Sequence, residues 1–139
     1  MPNNKRWGVL YCPKHELLSP KRRWEKIEKC LKDNGVEYDF IQSESSSGVD
    51  RLIKMMINNG YETIVIVGGD SALNDAVNCL MQYDSSVRER VVLGVIPNGL
   101  MNDFAHFWGF RESDYSQTIK WLKQRHVRKI DLGCIRYTK

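Results

Sequence analysis

Two loops hold most of the chemistry legible in this 139-residue chain. The first is the stretch from Ile64 to Asp75, IVIVGGDSALND, in which four aliphatic residues empty through two glycines into a carboxylate and the start of a helix. Gly68 and Gly69 let the backbone turn tightly and approach a phosphate with no Cβ in the way, and a helix starting near Ser71 offers the positive end of its dipole. That is half of a phosphate cradle. The same Gly-Gly-Asp also suits an ordinary strand-to-helix turn capped by Asp70. The second loop, Pro97 to Asp103, follows another aliphatic run, and a third segment, Ser43 to Gly48, follows an alternating one.

Other reactive groupings are missing from the sequence. Cys12, Cys30, Cys79 and Cys134 lie far apart with no Cys-x-x-Cys pair, so they read as buried free thiols. His15, His106 and His126 make no metal-ligand spacing with one another or with the cysteines, and no metal site built by the chain is expected.

The loops need a scaffold, and the apolar pattern supplies one. Trp7 to Cys12 reads as a strand, and Ser19-Pro20 opens a helix with apolar Trp24, Ile27 and Leu31, closed by Asn34-Gly35. Val36 to Ile41 reads as a second strand. Ser47 and Asp50 stand at capping-box spacing before a helical face of Val49, Leu52, Ile53, Met56 and Ile57, which Asn59-Gly60 ends. Thr63 to Val67, apolar on both faces, is a strand central in a parallel sheet, and Leu73, Ala76, Val77, Leu80 and Met81 form the next helical stripe. A fourth strand at Val91 to Ile96, helices at Asp103 to Trp108 and Tyr115 to Arg125, and a last extended segment at Val127 to Ile135 complete the order. This is a three-layer, Rossmann-like α/β domain with a mostly parallel sheet and helices on both faces. In such sheets ligands collect at the carboxyl ends of the strands, where all three loops fall.

Length fits one domain, residues 1–139, and no apolar run reaches the ~20 residues of a membrane span. The opening MPNNKRWG lacks a signal-peptide core, so a cytoplasmic location is expected. The net charge of +4 is uneven: residues 1–33 hold nine Lys/Arg against four Asp/Glu, 34–110 four against ten, and 111–139 eight against three. Lys21, Arg22, Arg23, Lys26 and Lys29 could attract an anionic inner membrane surface peripherally, or simply form a solvated helix face. No interleaved aromatics or reading helix point to nucleic acid.

The loops also resemble a family. VGGDSALNDAVNCL resembles the Gly-Gly-Asp-Gly-Thr-x-Asn-Glu-x-x-Asn-Gly-Leu signature of the diacylglycerol kinase catalytic domain family, which includes bacterial lipid kinases, sphingosine kinases and ceramide kinases. LGVIPNGLMNDFAHFWG resembles its Pro-x-Gly-Thr-x-Asn-Asp-Phe-Ala segment, and Lys129 to Gly133 its Ile-Asp-Leu-Gly stretch. The resemblance covers essentially the whole chain. It implies an ATP-dependent kinase of a lipid hydroxyl, with Mg²⁺-ATP in this first domain and a diacylglycerol-like lipid bound only together with a second, β-rich domain beyond Lys139. By position, Gly68, Gly69, Asp70, Asn74, Gly99, Asn102 and Asp103 match motif residues, and Ser43 falls where the family has threonine. The resemblance implies that Asp70 supports Mg²⁺-ATP or the attacking hydroxyl, that Asn102 and Asp103 orient that group, and that Ser43 and Ser71 offer hydroxyls to the nucleotide. The chain departs from the pattern at Ser71-Ala72 for Gly-Thr, Leu100 for Thr, Cys12 for Asn and Cys79 for Gly. These departures leave two rival readings, a non-catalytic nucleotide-binding or regulatory module and a kinase of a soluble small molecule.

Overall fold

The structure, a computed structural model, describes residues 6–12, 20–43, 48–98, 102–107, 109–110 and 114–124. Ten elements follow in order: β1 (Trp7–Tyr11), α1 (Pro20–Asp33), β2 (Tyr38–Gln42), α2 (Val49–Asn58), β3 (Thr63–Gly68), α3 (Asp70–Leu80), α4 (Ser85–Arg90), β4 (Val92–Pro97), α5 (Asp103–Phe107) and α6 (Tyr115–Lys123). The four strands form one sheet in the order β2-β1-β3-β4, and every pair is parallel.

Strand alternation divides the core between the two faces of the sheet. Leu10, Ile64 and Ile66 pack with Val49, Ile53, Met56 and Ile57 of α2 and with Ala76 and Cys79 of α3. Val9, Tyr11, Val65 and Val67 pack on the opposite side with Ile27 and Leu31 of α1 and Ile119 of α6. β1 and β3 are buried along their whole length, which is why both read as unbroken apolar runs. The expected three-layer fold is therefore observed.

Three helices stop as the glycines direct. Val36 N–H reaches Leu31 O at 3.0 Å and Gly35 N–H reaches Lys32 O at 3.0 Å, with Gly35 at φ +69°. The same pair of bonds recurs around Gly60 and Gly109, whose φ values are +90° and +88°. Tying Val36 to the end of α1 moves β2 two residues later than the sequence pattern suggests.

Other differences have equally local causes. The N-cap of α2 is Gly48, with no side-chain cap bond; Ser47, like Ser19 and the Val127–Ile135 segment, lies outside the described residues. Helix α4 is unforeseen because Val87 is its single partly buried apolar residue; Asp84 starts it by accepting from Val87 N–H at 3.2 Å and Ser86 Oγ at 2.7 Å. On α3, Cys79 is buried as expected, whereas Met81, the residue that caps its end, is 46% exposed instead of continuing the apolar stripe. Cys79 turns inward beside α2, where its thiol donates to Asp50 O at 3.4 Å. Of the described cysteines, Cys12 and Cys79 are buried and Cys30 is partly exposed, all as free thiols.

At the amino ends of the strands, Arg6 donates from Nε (3.0 Å) and Nη2 (2.7 Å) to Asp39 Oδ1, and Tyr61 donates its hydroxyl to Asp39 Oδ2. These hydrogen bonds, Arg6 first, hold the Asp39 carboxyl below its ordinary range. A carboxyl lowered by folding stabilises the fold above its unfolded pKa of about 3.9 and loses that contribution as pH falls through its folded value. We expect Asp39→Asn to cost at most about 1 kcal/mol at pH 7, because the pair is 39% and 40% exposed and screened. The difference from the parent should shrink below pH 4. Urea midpoints at pH 7 and pH 3 check this, and an unchanged difference would remove Asp39 from the acid limb.

Candidate functional site

The strand order reverses between β1 and β3, and α1 leaves on one face while α2 and α3 cover the other. This is the switch point at which parallel sheets open a crevice. The ladder continues one residue past the strands there. Cys12 N–H donates to Val67 O at 2.9 Å, Ser43 N–H to Tyr11 O at 2.8 Å, and Asn98 N–H to Gly68 O at 2.9 Å. Ser43, Asn98 and Asn102 are buried polar residues at this end, 5%, 1% and 8% exposed.

Gly68 is required by packing rather than by turn geometry. A Cβ there would stand 3.1 Å from Ala72 Cβ and 3.3 Å from Cys12 Cβ, so its absence lets α3 start directly over the strand end. Gly69 is extended (φ −106°, ψ −166°) and serves as the N-cap of α3. Neither glycine is at positive φ. The tight turn anticipated from the sequence is thus a close approach of two elements.

The helix starts differ in how their first amides are satisfied. Asp84 and Asp114 cap α4 and α6 through Val87 N–H at 3.2 Å and Gln117 N–H at 3.0 Å. α3 has no side-chain cap bond. Asp70, in its first turn, turns its carboxylate outward instead: Oδ2 accepts from Asp103 N–H at 2.9 Å and Oδ1 from Phe104 N–H at 3.1 Å. Asp70 is therefore a cap, but of α5. The N-cap of α3, like that of α2, is a glycine and offers the opening amides, beside exposed Ser71 and Asn74, no side-chain acceptor of its own.

The structure brings Gly68, Gly69, Asp70, Ser71, Asn102 and Asp103 into one region through the bonds just described. Asn102 O accepts from His106 N–H at 2.9 Å and so opens α5, and the Asp103 side chain is exposed. Ser43 lies across β1 from Gly68, roughly 10 Å away by strand spacing. Gly99, Leu100 and Met101 lie outside the described residues.

Three residues at this end went unselected in the sequence reading. Asn98 is buried at the end of β4. Asp75, matching the glutamate of the quoted signature, was signalled by that match alone. Cys12 sits at the switch point, where burial first, and then the Asp75 charge, push its thiol up to about 12, so it stays protonated and unreactive near neutrality.

For a nucleotide the fit rests on the glycine-capped start of an eleven-residue helix over a glycine where a Cβ would be crowded. For Mg²⁺, no group of three or more His, Cys, Asp or Glu able to hold a metal occurs among the described residues. Mg²⁺ commonly takes one or two carboxylates plus substrate phosphates, and Asp103 is an exposed carboxylate adjoining the loop.

Comparison with known proteins agrees with this geometry. The model of the diacylglycerol kinase catalytic domain matches residues 6–135. A diacylglycerol kinase of Bacillus subtilis is 26% identical over 129 residues, covering 93% of this chain and 41% of the relative. One from Staphylococcus carnosus is 25% identical over 129 residues, covering 93% and 40%. The crystal structure of a diacylglycerol kinase from Bacillus anthracis superposes with a TM-score of 0.73 at 18% identity, over 89% of this chain and 43% of that one. The chain belongs to the diacylglycerol kinase catalytic domain family. It spans about two fifths of the length of these relatives. No helix among the described residues is long and apolar enough to cross a membrane.

Proposed function

We propose that this chain is the nucleotide-binding part of an ATP-dependent lipid kinase, and that it holds the phosphates of ATP at the amino end of α3. The observation that carries the reading is the α3 start itself, capped by Gly69, seated close over Gly68 at the switch point, with Ser71 exposed in its first turn. ATP would supply the γ-phosphoryl group, and a lipid hydroxyl of the diacylglycerol type would receive it while its proton passes to a base. Phosphoryl transfer depends mainly on positioning and charge neutralisation. The residues we assign to it are Gly68, Gly69, Ser71 and Asn74 at the phosphates and Asp103 toward Mg²⁺ or the hydroxyl. Asp70 and Asn102 hold the second loop, and Ser43 and Gly99 flank the nucleotide.

Family membership supports phosphoryl transfer to a lipid. A second support is the apolar surface of α5, where Phe104 is 39% and Phe107 80% exposed on the helix that starts at Asp103. The remaining length of the relatives leaves room for a second, β-rich domain that would complete the lipid site. Peripheral attraction to an anionic membrane, through exposed Lys26 and Lys29 of α1, fits the same reading.

Calorimetry with Mg²⁺-ADP tests the proposal. Weak binding is expected, because the loop has Ser71-Ala72 where the family pattern has Gly-Thr, and each lost hydroxyl bond contributes about 1 kcal/mol. Ser71→Ala should weaken binding about fivefold further, since it removes the hydroxyl assigned to the phosphates and exposed Ser71 has no core role. No heat from the parent at millimolar nucleotide would overturn the reading. Binding by this chain together with no lipid phosphorylation by a longer, two-domain protein would favour the non-catalytic module.

A further inference from the structure

The carboxylate of Asp70 is directed away from the surface that its own backbone helps to form. Its peptide opens α3, at the proposed phosphate site, whereas its two oxygens bond successive amides of Asp103 and Phe104, 33 and 34 residues later, at 2.9 and 3.1 Å. Bonds to a charged acceptor are among the stronger hydrogen bonds. Their recipient is a five-residue helix, too short to be stable alone. Ala105 is its buried residue, 2% exposed, and the tether adds to that small apolar contact in seating α5 on the domain. Asn102 and Asp103 owe their placement to that seat.

We propose that Asp70 is a positioning residue that couples the two loops: occupancy at the amino end of α3 is transmitted through its carboxylate to α5. Asparagine cannot replace it. Asn keeps one acceptor and turns an NH₂ toward the second amide, donor against donor. The coupling half of this inference rests on the proposed nucleotide site, and the tether does not.

Amide-resolved NMR on this chain separates the two. Without ligand, Asp70→Asn should speed hydrogen exchange at Asp103 and Phe104 about tenfold or more, while Gln117, whose amide Asp114 accepts, serves as an unchanged reference. On adding Mg²⁺-ADP, the parent should shift at Gly69 and Ser71 and also at Asp103 and Phe104. In Asp70→Asn the α3 shifts should remain and the α5 shifts vanish.

A second variant guards against a folding failure. Asp103→Pro deletes the amide at the first helical position, where proline is tolerated, and should silence the α5 response with Asp70 intact. Unchanged exchange at Asp103 and Phe104 in Asp70→Asn would remove the tether. Persistent α5 shifts in both variants would remove the coupling. No ADP shift in the parent would sink the nucleotide site, and with it the coupling, and leave the tether to be judged by exchange alone.

Discussion

Gly68→Val is expected to destabilise the domain by about 1–3 kcal/mol and to weaken nucleotide binding about tenfold or more. Even a single Cβ would sit 3.1 Å from Ala72 Cβ and 3.3 Å from Cys12 Cβ, and neither neighbour is the far end of a flexible side chain. Valine adds two methyl groups to that crowding, so the start of α3 must lift away from the end of β3. The amides we propose for the phosphates lie in that first turn, and losing one charge-assisted bond changes affinity by roughly a factor of ten. Urea denaturation and ADP calorimetry on the same variant read the two effects. An unchanged dissociation constant in a destabilised protein would show that the nucleotide does not sit on α3.

Ile64→Ala should be more damaging to stability and leave the site alone. Ile64 is fully buried on β3, between β1 and β4, in one core with Leu10, Ile53 and Met56. Truncating such a side chain removes about 2–5 kcal/mol through lost burial and the cavity left behind. That is a large part of the roughly 5–15 kcal/mol by which a domain is stable. Folded Ile64→Ala should still bind ADP with the parent affinity, because the residue lies near the amino end of β3, away from Gly68 and the start of α3. A loss under 1 kcal/mol would contradict the central placement of β3.

The contrast between these two positions separates what each source of information decided. The sequence determined the layers, since Val65 and Ile66 are adjacent and both apolar, and only a strand covered on both faces buries both. It also determined two helix ends at Gly35 and Gly60, where the observed positive φ is one that glycine adopts without penalty. The two loops, and the family they resemble, were legible because their polar residues interrupt otherwise apolar strands. Those features are local, set by backbone conformation and by the period of side-chain alternation.

What only tertiary structure decided are relations between segments far apart in the chain. Nothing near Gly68 announces that Cys12 and Ala72 close on it, so a glycine that reads as a flexible turn is in fact a close-packing position. Asp70 reads as a cap for the helix that follows it; the fold turns its carboxylate to the amides of Asp103 and Phe104. Met81 leaves its expected place on the apolar stripe because α2 packs against one side of α3, a direction that helical periodicity alone leaves open. A side chain's partners depend on which distant backbone the fold delivers to it, and local pattern carries no record of that delivery.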